Sequence, residues 1–523
     1  MQEMKDTENL SGLKKILGDY DEKILYPVIG LLAIILTSIL VDSKGTQKIF
    51  DSINQWLIFN FSSGFLIGVT AVLFFALWVG MSKYGDMRLG KDDDRPEFSF
   101  IAWVAMMFSA GFGLSTLTWC AAEPLYHLFQ SSYTVDAGTA GTPAGIPKAM
   151  LLTVFDWGIH GWALFAVGGL AIAFPAYRLG KPMNLGIGLY GILKDKSQTG
   201  FWGKLTDVLG VISTLGGNGA SLGFGILSIA YGIKHITGVE LGSAGTFVAM
   251  LMIIAAFTLS AVSGVKRGIR ILSLINIYLG LGMLIWLLLT GPTTYLLSLF
   301  TQTLGEYISS IVSMSFWSDA GNFADGQYQQ RSWLNWWVIF YWLWWVSYIP
   351  FCSGFIARIS KGRTIREYIL GTTLVPVLMT MALFVIWGGN SAYLEVTKAA
   401  PMWDNVQQNL GSALYVLLEQ FPMGGLLGVL VFFSVVVFGV TTSDSASYFI
   451  SMQVSKGNPD PKISMRILWG CLLGGAAMLL LATGKLNALK AMAIVAGAPF
   501  FFVVIAYMIS IVKMLRMAAR DEL

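Results

Sequence analysis

Long apolar runs separated by short polar connections make up most of the chain. Stretches of roughly twenty mostly apolar residues lie near 24–42, 64–82, 99–120, 149–174, 206–232, 243–262, 271–291, 335–356, 368–387, 423–450, 464–482 and 489–515. Each is long enough to cross a hydrocarbon layer of about 30 Å as a helix. The pattern predicts an all-α integral membrane protein with twelve transmembrane helices. It divides into a polar segment 1–23, two helices in 24–82, five spans in 83–291, an outer amphipathic segment 292–334, five spans in 335–515 and a tail 516–523. Between the sixth and seventh spans, Lys266, Arg267 and Arg270 precede an apolar run and predict a cytoplasmic interfacial helix.

Composition supports the pattern: 55% of residues are hydrophobic, 12% are charged, and mean hydropathy is +0.66. A water-soluble chain of this size would not tolerate such a surface. Basic residues then orient it. Taking the N-terminus and every second connection, 26 of the 34 Lys and Arg fall on one side and 8 on the other, so both termini are expected to be cytoplasmic. The net charge of +4 reflects topology, and no nucleic-acid partner is expected.

Cys120, Cys352 and Cys471 all lie inside spans, which leaves no exported disulfide framework. No removable signal peptide is expected from the polar first 23 residues, and the terminal "RDEL" is read as chance on a cytoplasmic end.

Two spans are interrupted. The third carries Ser109, Gly111, Gly113 and Ser115 at its middle, and the tenth carries Gly439, Thr441, Thr442, Ser443, Asp444, Ser445 and Ser447. A helix that loosens at mid-bilayer frees carbonyls for protein, water or an ion, and such spans mark transporter sites; small residues also permit close helix packing. Charge within spans is scarce. Asp156 and His160 stand one turn apart on the fourth span, either as a structural pair or as a proton-sensitive or cation-attracting site beside Trp157. Asp444 either bonds nearby backbone or shapes the interrupted region. The run "WLNWWVIFYWLWWVSYIPF" holds six tryptophans, of which Trp333, Trp336 and Trp337 read as interfacial anchors at an outer helix end.

"FDWGIHGWALF", "FYWLWWVSYIPF" followed by "ARISKGRTIRE", and "TTSDSAS" together resemble the betaine/carnitine/choline transporter family, from about Asp19 to Arg516. The resemblance implies a LeuT-like core of five plus five helices in inverted repeat, preceded by two extra helices, and a homotrimer in a bacterial cytoplasmic membrane. It implies an aromatic substrate cage at Trp157, Trp162 and Trp345, with Phe165 where the family has Tyr. Trp342 would form a waiting station, Trp344 and Tyr348 would line the path, and Phe112 would tune substrate size. A quaternary ammonium has no N–H to donate and wears its charge on methyl groups. Aromatic faces suit it, at about 0.5–1 kcal/mol per ring when exposed and about 2 kcal/mol or more when desolvated.

The resemblance also places a sodium site at the backbone oxygens of Ser109, Phe112 and Phe438 with the hydroxyls of Thr441 and Thr442. A weaker second site falls on Thr214 and Asn218, where the family carries a hydroxyl at the latter. Hard oxygens suit such an ion. The fifth span from Val208 to Ile233 holds no Lys or Arg that could replace sodium, which favours symport. The few residues after Arg516 lead to no expectation of osmotic sensing. The reading is therefore a sodium-coupled symporter of a betaine-, choline- or carnitine-like onium solute, with sodium as coupling ion and no other cofactor. Alternatives are a sodium-independent exchanger of the family and a membrane-embedded choline-recognising enzyme, for which Asp156 with His160 is the best acid–base pair.

Overall fold

The computed structural model describes residues 12–111, 114–263, 266–318, 320, 323–324, 327–328, 332–482 and 486–520. Its longer helices are α1 (Glu22–Val41), α2 (Ser43–Met81), α3 (Phe100–Gly111), α4 (Leu114–Gln130), α5 (Ile146–Asp156), α6 (Ile159–Leu179), α7 (Phe201–Thr237) and α8 (Ser243–Ser263). They continue with α9 (Lys266–Thr290), α10 (Thr293–Ser315), α11 (Phe340–Ile359), α12 (Ile365–Val396), α13 (Gly424–Val454), α14 (Ile463–Ala482) and α15 (Leu486–Ala518). A two-stranded antiparallel hairpin, Phe323–Ala324 with Gln327–Tyr328, follows α10.

Among the described residues the predicted spans fall on helices, eight of which are both long and apolar enough to cross a membrane. The third, fifth, seventh and eleventh intervals miss that standard. In α7 the reason is composition: Gly210, Ser213, Thr214, Gly216, Gly217, Asn218 and Ser221 dilute its hydropathy, yet every one of them is buried. The seventh interval belongs to a pair, Leu274–Thr290 with Thr293–Ser315, bent by 110° at Gly291–Pro292. No separate interfacial helix precedes it, because Lys266 to Thr290 is one element. The outer connection expected at 43–63 is likewise helical, part of α2.

Helices α6, α7, α11 and α15 pack most extensively on one another and form the centre. Helix α11 starts in a π-helical turn over Asn335–Ile339 and is buried nearly all round. A helix apolar on every face belongs inside a bundle. Helix α10 lies against α5, α12 and α9.

The Gly-Arg-Thr-Ile-Arg run has a structural task at the far end of α11. Leu89 N–H donates to Arg363 O at 2.9 Å and Gly362 N–H to Leu89 O at 2.8 Å, closing a short bridge between two connections. Gly362 has φ +80, and a Cβ there would lie 2.2 Å from Arg95 O, so glycine is required. Arg363, 2% exposed, lies 4.2 Å from the Trp103 ring, donates to Phe98 O at 2.8 Å and pairs with Glu367. Thr364 then caps α12 by accepting from Glu367 N–H at 3.1 Å.

Candidate substrate and ion sites

The fourth predicted span is two helices. Helix α5 ends at Asp156, Trp157 adopts φ −102 and ψ 9, and α6 begins at Ile159. The Ile159 N–H freed by this break donates to the Tyr307 hydroxyl of α10 at 2.9 Å, and the Trp345 indole N–H donates to Asp156 O at 3.1 Å. Orphan backbone groups in a helix break need such partners. The break also turns the chain so that Asp156 and His160 no longer share a face, contrary to the spacing argument. His160 bonds Ser315 at 2.9 Å and stacks on Trp342 at 4.6 Å, while Asp156 lies beside His127.

The indole rings expected to form the cage do meet. Ring centroids are 6.0 Å apart for Trp157 and Trp345, 5.7 Å for Trp162 and Trp345, 4.9 Å for Phe165 and Trp345, and 5.8 Å for Trp162 and Phe165. Gly161 permits this: a Cβ there would lie 2.3 Å from Trp345 Cδ2, so the indole rests directly on the α6 backbone. The Trp344 N–H donates to Gly217 O at 3.3 Å and the Trp157 N–H to Glu123 Oε2 at 2.7 Å. Bonding at the indole edge fixes each ring while leaving its face for other contacts.

A cavity of about 20 Å³ opens between these rings, lined by Gly111, Ser115, Thr116, Trp157, Phe165, Trp344, Trp345 and Tyr348. That is room for a water-sized molecule. Seating a trimethylammonium group against the same faces requires the rings to move apart. Trp162 backs the cavity through Phe165 and Trp345. Trp342 sits elsewhere, packed on Phe155 at 5.5 Å and on His160. Phe112 lies outside the described residues.

The ion-site residues are only partly placed. Phe112 and the side chain of Ser109 lie outside the described residues. Phe438, Thr441 and Thr442 lie on α13, which is one continuous helix and does not loosen as the sequence suggested. Thr441 Oγ1 donates to Val437 O at 2.9 Å, the back-bonding by which a hydroxyl is tolerated in an apolar helix. A Cβ on Gly439 would lie 3.3 Å from Leu114 Cδ2, so this stretch of α13 does face the start of α4. Thr214 donates to Gly210 O at 2.8 Å and Asn218 Nδ2 to Thr214 O at 3.3 Å, both buried within α7. Asp444 accepts from Ser260 of α8 at 3.2 Å, tying two helices together.

Sequence reasoning missed a buried polar cluster beside Trp157. Glu123 and His127, on α4, are fully buried, although the sequence reading ended that span at residue 120. Glu123 accepts from Trp157 and from the Tyr341 hydroxyl, and His127 Nε2 lies 3.4 Å from Glu123 Oε1 and 3.3 Å from Asp156 Oδ2. Lys490, the second residue of the twelfth predicted interval, is 5% exposed; its ammonium lies 4.3 Å from the Trp337 ring and 4.7 Å from Phe340, and donates to Trp336 O at 3.0 Å. Trp333 and Trp337 are buried around this cluster and so are not head-group anchors. The i, i+4 spacing of Glu123 and His127 between apolar neighbours was the signal available in the sequence.

Comparison with known proteins decides the class. The model of the family described as "BCCT, betaine/carnitine/choline family transporter" matches residues 23–520. The chain belongs to the betaine/carnitine/choline transporter family. It is a multi-pass membrane secondary transporter and not an enzyme. It is 34% identical to the "Probable glycine betaine transporter" of Desulfitobacterium hafniense over 90% of this chain and 93% of that one. It is 33% identical to the glycine betaine transporter OpuD of Bacillus subtilis, over 95% of both. A glycine betaine/proline/choline/ectoine transporter of Vibrio parahaemolyticus is 31% identical over 94% of this chain and 87% of that one. Among solved structures, a manganese transporter of Eremococcus coleocola aligns over 81% of this chain and 82% of that one, at TM-score 0.40 and 12% identity, too distant for inference.

Proposed function

We propose that this betaine/carnitine/choline family transporter moves a methylated onium solute, of the glycine betaine, choline or carnitine type, by sodium-coupled symport through twelve spans arranged as an inverted repeat. Trp157, Trp162, Phe165 and Trp345 hold the onium group, and Trp344 and Tyr348 line its approach. The observation that carries this reading is the convergence of Trp157, Phe165 and Trp345, from the α5–α6 break, α6 and α11, around one cavity, with Trp162 packed behind Phe165 and Trp345. Such faces supply attraction to a methyl-coated cation through apolar contact and the ring quadrupole. The relatives named for glycine betaine point to the same chemical class.

Sodium coupling is supported by the approach of α13 to the start of α4, where a Cβ on Gly439 would lie 3.3 Å from Leu114; Thr442, one turn on, shares that face of α13. In this reading substrate entry spreads the rings, α10 covers the outer face, and opening then passes to the cytoplasmic side, where both termini lie. The bacterial cytoplasmic membrane and a homotrimeric assembly complete the proposal. Uptake of radiolabelled glycine betaine, choline, carnitine and dimethylsulfoniopropionate into proteoliposomes, with and without an inward sodium gradient, tests it. Gradient-dependent accumulation of at least one of the four is expected. Accumulation of none would remove the substrate class, and turnover indifferent to sodium would replace symport with exchange.

A further inference from the structure

The Glu123, His127 and Asp156 cluster has geometry that the transport reading leaves unused. The indole N–H of Trp333 donates to His127 Nδ1 at 3.3 Å. An indole nitrogen can only donate, so Nδ1 accepts and the neutral imidazole carries its hydrogen on Nε2. That hydrogen points at Glu123 Oε1, 3.4 Å away. Glu123 thus faces three donors: His127, Trp157 and Tyr341. Asp156 differs. It is 1% exposed, and among the described residues neither carboxyl oxygen has a hydrogen-bond partner, although Oδ2 comes within 3.3 Å of His127 Nε2.

Two carboxylates that share one imidazole, away from water, do not both ionise, and the better-solvated one keeps the charge. The charged and titratable groups facing them are Cys120 and His127 on α4, Tyr341 on α11 and Lys490 on α15. Helix α12 packs at the same place and presents Phe384 and Gly388, neither titratable. With Lys490 as the resident cation, one carboxylate is balanced and a second would be surplus. We infer that the cluster holds one exchangeable proton, resident on Asp156, which leaves to water when a cationic onium group occupies the neighbouring cage at Trp157. The cluster is not laid out for a metal ion, because ligation through Nε2 would move the imidazole hydrogen to Nδ1, against the Trp333 N–H.

The linkage rests on the cage reading; the proton itself does not. A positive centre against Trp157 favours the ionised form of the adjoining acid, so affinity should fall about tenfold for each unit of acidification while Asp156 holds its proton. Infrared difference spectra of the purified transporter between pH 6 and pH 9 read the proton without ligand. A protonated-carboxyl C=O band is expected in the wild type, moved to lower frequency by 13C-labelled aspartate and not by 13C-labelled glutamate, and lost in Asp156→Asn. Absence of the band, or its movement with labelled glutamate instead of labelled aspartate, overturns the assignment even if Asp156→Asn fails to fold. Calorimetric titration with glycine betaine and with choline, in two buffers of different ionisation enthalpy, reads the linkage. Close to one proton released per ligand is expected, and binding without proton exchange overturns it. Failure of both ligands to bind would instead sink the cage reading while the infrared result still decides the proton.

Discussion

Trp345 is where local chemistry concentrates. Its N–H holds the Asp156 carbonyl at the helix break, its face meets Trp157, Trp162 and Phe165, and its edge lies on Gly161. Losing one desolvated ring costs about 2 kcal/mol or more of cation attraction, about thirtyfold in affinity. Trp345→Ala is accordingly expected to abolish uptake at micromolar solute while leaving expression and detergent monodispersity intact; unchanged affinity in a binding assay would refute the cage. Gly161→Ala is the complementary test. A methyl group 2.3 Å from the indole must displace it, and overpacking of this kind costs about 1–3 kcal/mol. A loss of affinity of about tenfold is expected, with thermal stability lowered by a few degrees, as read by ligand titration and a melting curve.

At the scale of elements, broken and unbroken helices divide the work. The α5–α6 break creates donors and acceptors that Tyr307 and Trp345 satisfy, so a helix interruption becomes a fixed aromatic corner. Tyr307→Phe leaves the Ile159 N–H without its buried acceptor, a loss of about 1–3 kcal/mol. The expected result is a lower melting temperature with weaker substrate binding, and a variant as stable as wild type would mean the amide finds another partner. Helix α13 is continuous, and its Thr441 hydroxyl donates along its own helix. As a sodium ligand that hydroxyl has lone pairs to offer while it donates. Thr441→Ala is expected to raise the sodium concentration for half-maximal uptake about tenfold at unchanged maximal rate; an unaltered sodium response would move the ion elsewhere.

For the whole molecule, coupling is a question of charge moved. One sodium ion carried inward with a net-neutral solute gains about 2.3 kcal/mol per 100 mV, enough for about fortyfold accumulation. Proteoliposomes given an inside-negative potassium diffusion potential should accumulate glycine betaine faster and further than unpolarised ones, and an exchanger of neutral solutes would show no response. The outer surface of the molecule fits its solvent. Exposed apolar side chains such as Ile34, Phe59, Ile67, Leu259, Tyr278 and Leu289 face outward from long helices. The central helices α6 and α11 are buried nearly all round.

Sequence alone determined the class, because a hydrophobic run of membrane length and a surplus of Lys and Arg on alternate connections are properties of the chain itself. A family resemblance carried by its tryptophan-rich motifs also pointed to Trp157, Trp162, Phe165 and Trp345, whose rings pack together in the structure. The tertiary structure alone decided who meets whom. Periodicity assumes an unbroken helix, and the break at Trp157 and Gly158 separated Asp156 from His160, giving each a partner from a distant stretch. Hydropathy counts a lysine or a glutamate as polar and puts it at or beyond the edge of a span. Lys490 and Glu123 lie inside nonetheless, because aromatic faces and indole N–H groups from α11 and the α5–α6 corner replace the water they give up.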